Sequence, residues 1–491
     1  MRKFLPSRVV VPLHLAFIAA YLACIQWGAD SICQYLPVAF LAAGLLEVTI
    51  LFPSARRGED PADARWRVCR DVLHDPVFVI GVFGFLFIAL QTLNGPRQVV
   101  FDLSRGVWSF SSARIRDFPA CVDQLRSAQG LFWSLLVIPA MLAVRRGLGK
   151  RGRILLLKCL VAVMSVSAIV AIATSCFADA DDAPYRFAKF QSPISAGMFF
   201  LMGFCMADGL YAIEAGAEDP RPWPRRLLVA ECIACAAGVV FSLSCLSQVI
   251  LGGVFVVLLV YGAIYLARRL ATAEKIRMFV GGLIMLGLAA FLHFVAYPGN
   301  QINGCFTKIA TPEEWMSDEE KAEREVCATV AGRMAADNRW VGVGTWGYAD
   351  SDCFGKYMED EEWDALPDAE TTPQVVDNDA LQFLCEYGVI GLVLLAAPFA
   401  LSVLAALWRL ICEFRPRRKV SDGTGTSSAG ESRPFTDRVT PLALAVILAV
   451  AIPFAMSFHF SVFRDPRNLL TLAILTAVLP TLLPKPGSAD R

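Results

Sequence analysis

Runs of about 20 apolar residues recur from end to end of the chain, near 9–28, 34–53, 76–93, 129–144, 154–176, 193–213, 227–244, 248–266, 278–297, 381–408, 439–458 and 467–484. Each is close to the length a helix needs to cross a hydrocarbon core about 30 Å thick. The pattern therefore predicts an all-α integral membrane protein with about twelve transmembrane helices. It also divides the chain. Residues 1–297 carry the first nine helices, 298–380 form a polar, partly helical external loop, and 381–491 carry the last three. A Gly- and Ser-rich stretch at about 415–435, "SDGTGTSSAGES", reads as a flexible cytoplasmic linker.

Composition supports the pattern: 56% of the residues are hydrophobic, 18% are charged, and mean hydropathy is +0.52. The net charge is zero, so bulk charge points to no nucleic-acid partner. The first run follows Arg2, Lys3 and Arg8, so a signal peptide competes with a retained helix. "YLAC" at 21–24 places bulky Tyr21 where a lipoprotein cleavage site wants an aliphatic residue, and the run reads as a first span.

Charge orients the spans. "SARRGEDPADARWRVCRD", "RRGLGKRGR", "PRPWPRR", "ARRLATAEKIR" and "RLICEFRPRRKV" are basic and alternate with less basic loops. The positive-inside rule puts them, and both termini, in the cytoplasm, with 298–380 outside. The external 94–128 segment breaks the rule with Arg97, Arg105, Arg114, Arg116 and Arg126. One reading is that outer loops tolerate arginine; the other is that these guanidinium groups bind an outer-face anion such as a phosphate. Of the fifteen cysteines, many fall in apolar runs as small hydrophobes. Cys305, Cys327 and Cys353 share the external loop, and two of them, or one with Cys121, are candidates for a disulfide.

Within that loop, Thr311 and Pro312 start a helix predicted to run to about Ala336. "WVGVGTWGYADSD" follows, and reads as a turn with close backbone approach. Trp346 and Tyr348 suit either an interfacial aromatic belt or sugar stacking. Next comes "VVDNDALQFLCEYGVIGL" at 375–392, which sets polar chemistry where a helix enters the membrane. Asp379 is expected to cap that helix, with Gln382 reaching back as in a capping box. Asp379, Gln382 and Glu386 form one polar stripe, and intramembrane acids usually face a cavity. Gly388 and Gly391 permit close packing against a neighbouring helix.

This segment resembles the signature of the O-antigen ligase and O-antigen polymerase family of bacterial surface-polysaccharide enzymes. That signature is His, then Asn, Ser or Gln, nine residues, Gly, two residues and Gly. Here Asn378 is followed by nine residues, Gly388, two more and Gly391. "VGVGTWGY" resembles the family's preceding glycine-rich stretch, and the large loop before the tenth span matches the family architecture. Two positions depart: Asp377 stands at the histidine position, and "SLSCLSQ" at 242–248 has Cys245 where an arginine is expected.

The resemblance implies a glycosyltransferase of the inner membrane. It would move a saccharide from a polyprenyl-diphosphate donor to a hydroxyl of a glycan, lipid core or protein at the outer face, without metal or cofactor. In that reading Asp377, Asn378 and Asp379 are the catalytic candidates, with Asp377 as base. Arg97, Arg105, Arg464 and Arg467 would hold the diphosphate. Gln382, Glu386, Trp346, Tyr348 and His459 would line the acceptor site or a cavity, and His459 is a candidate stand-in for the missing imidazole. Three other readings remain at this stage. The first is a divalent-ion site built from "DSD" (350–352) and "DND" (377–379). The second is a lipid-linked-oligosaccharide flippase or transporter, and the third an inactive structural relative.

Overall fold

The computed structural model describes residues 7–28, 32–53, 59–103, 106–115, 118–177, 187, 190, 192–215, 222–242, 244–267, 318–366, 373, 375–414 and 440–483. The apolar run at 278–297, Arg105, Cys305, Thr311 and the 415–435 linker lie outside them. The helices are α1 (Ser7–Gly28), α2 (Ile32–Leu51), α3 (Pro61–Leu73), α4 (Pro76–Asn94), α5 (Gln124–Leu142), α6 (Lys150–Phe177), α7 (Pro193–Ala215), α8 (Pro222–Phe241), α9 (Cys245–Ala267), α10 (Asp318–Asp337), α11 (Ser351–Tyr357), α12 (Asp379–Phe414), α13 (Pro441–Met456) and α14 (Pro466–Leu482). The eleven described apolar runs all fall on helices. Among the described residues, five segments are long and apolar enough to cross a membrane: Pro76–Asn94, Gln124–Gly147, Lys150–Thr174, Pro193–Ala215 and Asp379–Ile411. Shorter apolar segments lie in α1, α2, α9, α13 and α14.

The departures from the sequence pattern are local. The basic loop after α2 contains α3, whose side chains split by face: Ala64, Val68 and Val72 are buried while Trp66 is 68% exposed. Asp60 caps it and Pro61 opens it, the pairing expected at a helix start. The 94–128 segment forms a hairpin, β1 (Val99–Asp102) and β2 (Val107–Phe110), antiparallel with Phe101 opposite Trp108. The helix predicted up to about Ala336 is described as α10, to Asp337.

Among the described residues there are one large helical core, a smaller one, and a minor cluster of Phe87, Ile88 and Tyr387. The smaller joins Val326, Val330, Met334, Tyr348, Phe354 and Tyr357 with Val376 and Cys385, and Val99, Phe110 and Val122 pack against it. The hairpin segment and the 318–366 segment, far apart in the chain, thus share one core. Cys121, Cys327 and Cys353 are free buried thiols in this structure, so no disulfide links the three.

Candidate active site

The site grows from a break in α12. At Gly388 the backbone takes φ 64° and ψ −174°, open essentially to glycine alone. The break frees peptide groups on both sides, which cannot stay unpaired away from water. The glycine-rich loop of residues 339–344 takes them up. Val389 and Ile390 donate to the carbonyls of Arg339 (2.8 Å) and Trp340 (3.2 Å), while Val343 and Gly344 donate to those of Cys385 (3.0 Å) and Glu386 (2.8 Å). Contact is so close that a Cβ on Gly388 would collide with the Trp340–Val341 peptide, and one on Gly342 with the carbonyl of Glu386. Gly388 is therefore a crossing point for a loop rather than the expected helix-packing residue. Gly391 does pack against a helix: a Cβ there would meet Phe87 of α4 at 2.7 Å.

Above the break, the polar stripe is distributed differently from the sequence expectation. Asn378, not Asp379, caps α12, its side-chain oxygen accepting from the Leu381 N–H at 3.0 Å. Gln382 does not close a capping box. Its oxygen accepts from the Val376 N–H (3.1 Å) and its amide donates to Glu386 (3.3 Å). Asp379 is turned into the protein, where it accepts from the backbone N–H groups of Val462 and Phe463, both at 2.7 Å, and from the Ser461 hydroxyl at 3.3 Å. Its own N–H donates to the Ser457 carbonyl. Asp379 thus ties the start of α12 to the turn between α13 and α14, a positional role.

Glu386 is fully buried and ion-paired with Arg464, which is itself 2% exposed. The guanidinium lies 4.2 Å from the Trp346 ring and is flanked by Trp133 and Phe383. Trp346 holds a left-handed backbone (φ 61°), an outlier for a bulky side chain. Removing one partner leaves the other as a buried, unpaired charge. Glu386→Ala is therefore expected to cost about 3–5 kcal/mol. The thermal midpoint of purified protein should fall further in this variant than in the Glu386→Ala/Arg464→Met double variant. Equal midpoints would remove the pair from the core's electrostatics.

The exposed chemistry is at Asp377. Its side chain is 45% exposed and pairs with Arg324 of α10 at 2.9 Å. Arg324 also donates to the backbone carbonyl of His459 at 2.7 Å and lies over the Phe460 ring. His459, whose side chain is exposed, is thereby joined to Asp377 through one guanidinium. Burial raises the Asp377 carboxyl above the usual aspartate range, and Arg324 pulls it part of the way back.

Several expected site residues lie elsewhere. Arg467 pairs with Asp465 (2.6 Å) and lies 3.5 Å from the Phe190 ring centroid. Arg97 sits over Phe110 at 4.7 Å, near Tyr357 and Cys353. Its guanidinium is less basic than usual because it is half-buried, and no contact joins it to Asp377, Asp379 or Glu386. Tyr348 is fully buried in the smaller core, with its ring against Phe354, which corrects the sugar-stacking expectation. Asp350 accepts from the Cys353 N–H as cap of α11. With Asp377 on Arg324 and Asp379 on backbone N–H groups, these acids already have protein partners, and among the described residues no His, Cys, Asp and Glu group is placed to hold a metal ion.

Arg324 and Gln91 were not picked out by sequence reasoning. Arg324 stands among alternating charges on a helix whose solvent face looks the same in sequence. Gln91 is fully buried in α4 and donates to the Val341 carbonyl at 2.6 Å, clamping the glycine loop. A lone glutamine inside the apolar run 76–93 was the available signal.

No curated protein matches the chain. Residues 231–396 match the family model described as O-antigen ligase. The match includes α10, the glycine loop, Asp377 and both glycines of the break, while Arg464 lies beyond it. This match, over the segment that forms the break and its exposed carboxylate, supports membership of the chain in the O-antigen ligase family.

Proposed function

We propose that the protein is a metal-independent glycosyltransferase of the bacterial inner membrane. It takes a saccharide from a polyprenyl-diphosphate donor and attaches it to an acceptor hydroxyl at the outer face. The observation that carries this reading is the half-exposed Asp377–Arg324 pair at the mouth of the broken helix, on the family's signature segment. Asp377 takes the proton of the acceptor hydroxyl as its oxygen bonds to the anomeric carbon. The bond from that carbon to the phosphate oxygen breaks, and the diphosphate leaves with the electron pair. Arg324 stabilises the anion that departs. The buried Asp379 and Glu386 position the mouth by fixing α12 to the α13–α14 turn and to Arg464.

Purified protein is expected to convert polyprenyl-diphosphate saccharide and acceptor glycan into a joined glycan plus free polyprenyl diphosphate. Absence of released polyprenyl diphosphate would overturn the assignment. Deleting the gene separates the two transfer types. Cores capped without long chains indicate a polymerase, and undecorated cores with accumulated lipid-linked polymer indicate a ligase. A transport reading draws on the Lys158–Glu214 pair and the buried Glu231 between α6, α7 and α8. It predicts movement of the lipid-linked glycan with no diphosphate release.

Arg324→Gln tests the pairing through pH. A base acts deprotonated, so transfer rises with pH through the Asp377 pKa. Removing the cation that lowers this pKa is expected to shift the acid limb of kcat/KM to higher pH, with a raised KM for donor. An unmoved limb would detach Arg324 from the mechanism.

A further inference from the structure

At the opposite end of the bundle, α4 and α6 begin where α5 ends. Asp75 caps α4 and is fully buried. The chain leaves α5 through a π-turn, Ala143–Gly147, which presents two successive arginines to that one carboxylate. Arg146 reaches Asp75 at 2.5 Å and Arg145 at 3.4 Å, and Arg145 also donates to the Ser402 hydroxyl at 3.2 Å. Arg153, in the first turn of α6, donates to the carbonyls of Val144 (3.1 Å) and Arg145 (2.8 Å). Arg409, near the end of α12, donates to the Pro480 carbonyl. Arg153 lies within repulsive range of Arg145, Arg146 and Arg409.

Two guanidinium groups therefore share the Asp75 carboxylate, and two more, Arg153 and Arg409, lie within repulsive range of them with no carboxylate of their own among the described residues. Helix carbonyls satisfy some of the N–H donors, which accounts for where Arg153 and Arg409 point. Carbonyls do not neutralise charge, however, and like charges held together in a partly desolvated place need a counter-anion. The depth of the cluster says which kind. Trp408, adjacent to Arg409, is 58% exposed, and Trp66 of neighbouring α3 is 68% exposed. A tryptophan exposed near the end of an apolar helix, beside another exposed on a short amphipathic helix, fits the headgroup level of a bilayer. A basic cluster between helix ends at that level suits a lipid phosphate.

We propose that Arg145, Arg146, Arg153 and Arg409 form a binding site for a phosphate group, that of an anionic phospholipid headgroup, at the end of the bundle remote from Asp377. The site stands independently of the transfer reaction, since none of its residues belongs to the mouth of α12. Its ligand would hold the ends of α4, α5, α6 and α12 together through bidentate guanidinium–phosphate bonds.

The test uses the full chain in detergent and in nanodiscs, with phosphatidylglycerol, phosphatidylcholine and inorganic phosphate as probes. Phosphatidylglycerol is expected to raise the thermal midpoint by several degrees over phosphatidylcholine, and to remain bound in native mass spectrometry. Arg146→Gln should weaken its retention by at least about tenfold, whereas Lys150→Gln, at the exposed first residue of α6, should not. Equal stabilisation by millimolar inorganic phosphate would support the site with a soluble anion as its source. Identical behaviour of the two lipids without a phosphate effect, or unchanged retention in Arg146→Gln, would overturn it. Should that variant not fold, the wild type decides: retention of phosphatidylglycerol after delipidation that strips phosphatidylcholine supports the site, and loss of both refutes it.

Discussion

Asp377→Asn is expected to lower the transfer rate by about 10²–10⁴-fold, the usual contribution of a positioned general base, with little change in stability. Asparagine keeps the shape and one hydrogen-bond acceptor for Arg324 but cannot take the acceptor's proton. The loss should appear in kcat, with donor KM nearly unchanged, because Arg324 keeps its place through the His459 carbonyl. The stability part of the expectation follows from exposure: the side chain is 45% exposed, and pairs of this kind contribute about 0–1 kcal/mol. The companion variant is His459→Gln. If Asp377→Asn retains full activity and His459→Gln destroys it, the base is the His459 imidazole and Asp377 has no part in the proton transfer. If neither variant affects transfer, the mouth of α12 is not where the reaction occurs.

Gly388→Ala is expected to have a large structural effect. Two costs add. The φ/ψ pair belongs to a region that is essentially glycine's alone, worth about 1–3 kcal/mol. The new Cβ would also strike the Trp340–Val341 peptide, which is backbone and is itself hydrogen-bonded across the break. Relief requires the glycine loop to lift away, which would expose the unpaired N–H groups of Val389 and Ile390. The expected outcome is loss of folded protein from the membrane, read as monodisperse yield and thermal midpoint. Gly253→Ala in α9 is the control, since nothing lies within 4 Å of its Cβ direction. If both variants behave alike, the break at Gly388 is not a structural requirement.

Together these variants separate chemistry from scaffold on one short segment. Asp377 should change rate and leave the fold; Gly388 should change the fold; and Glu386, buried against Arg464, should sort with Gly388. The sequence grouped Asp379 with Asp377 and Asn378 as catalytic candidates, and with Gln382 and Glu386 on one polar stripe. Burial divides them, through the direction in which each carboxylate leaves the backbone.

The apolar periodicity by itself determined that the chain is helical and membrane-like, because the energy of apolar burial and backbone pairing is local and readable along the chain. The eleven described runs are helices, and the spacing of Asn378, Gly388 and Gly391 marked the segment that carries the helix break and the exposed carboxylate. What the glycines do was not legible, since a left-handed φ and a crossing loop belong to two segments about fifty residues apart. The same holds for the arginines. Arg97, Arg324, Arg464 and Arg467 are equal as letters. Only packing decided that Arg464 is buried on Glu386, that Arg467 closes on Asp465, that Arg97 rests on a hairpin, and that Arg324 reaches the exposed carboxylate. Partner choice among charges is a long-range property: it follows from which helix ends meet in space, and the linear order of residues carries almost none of it.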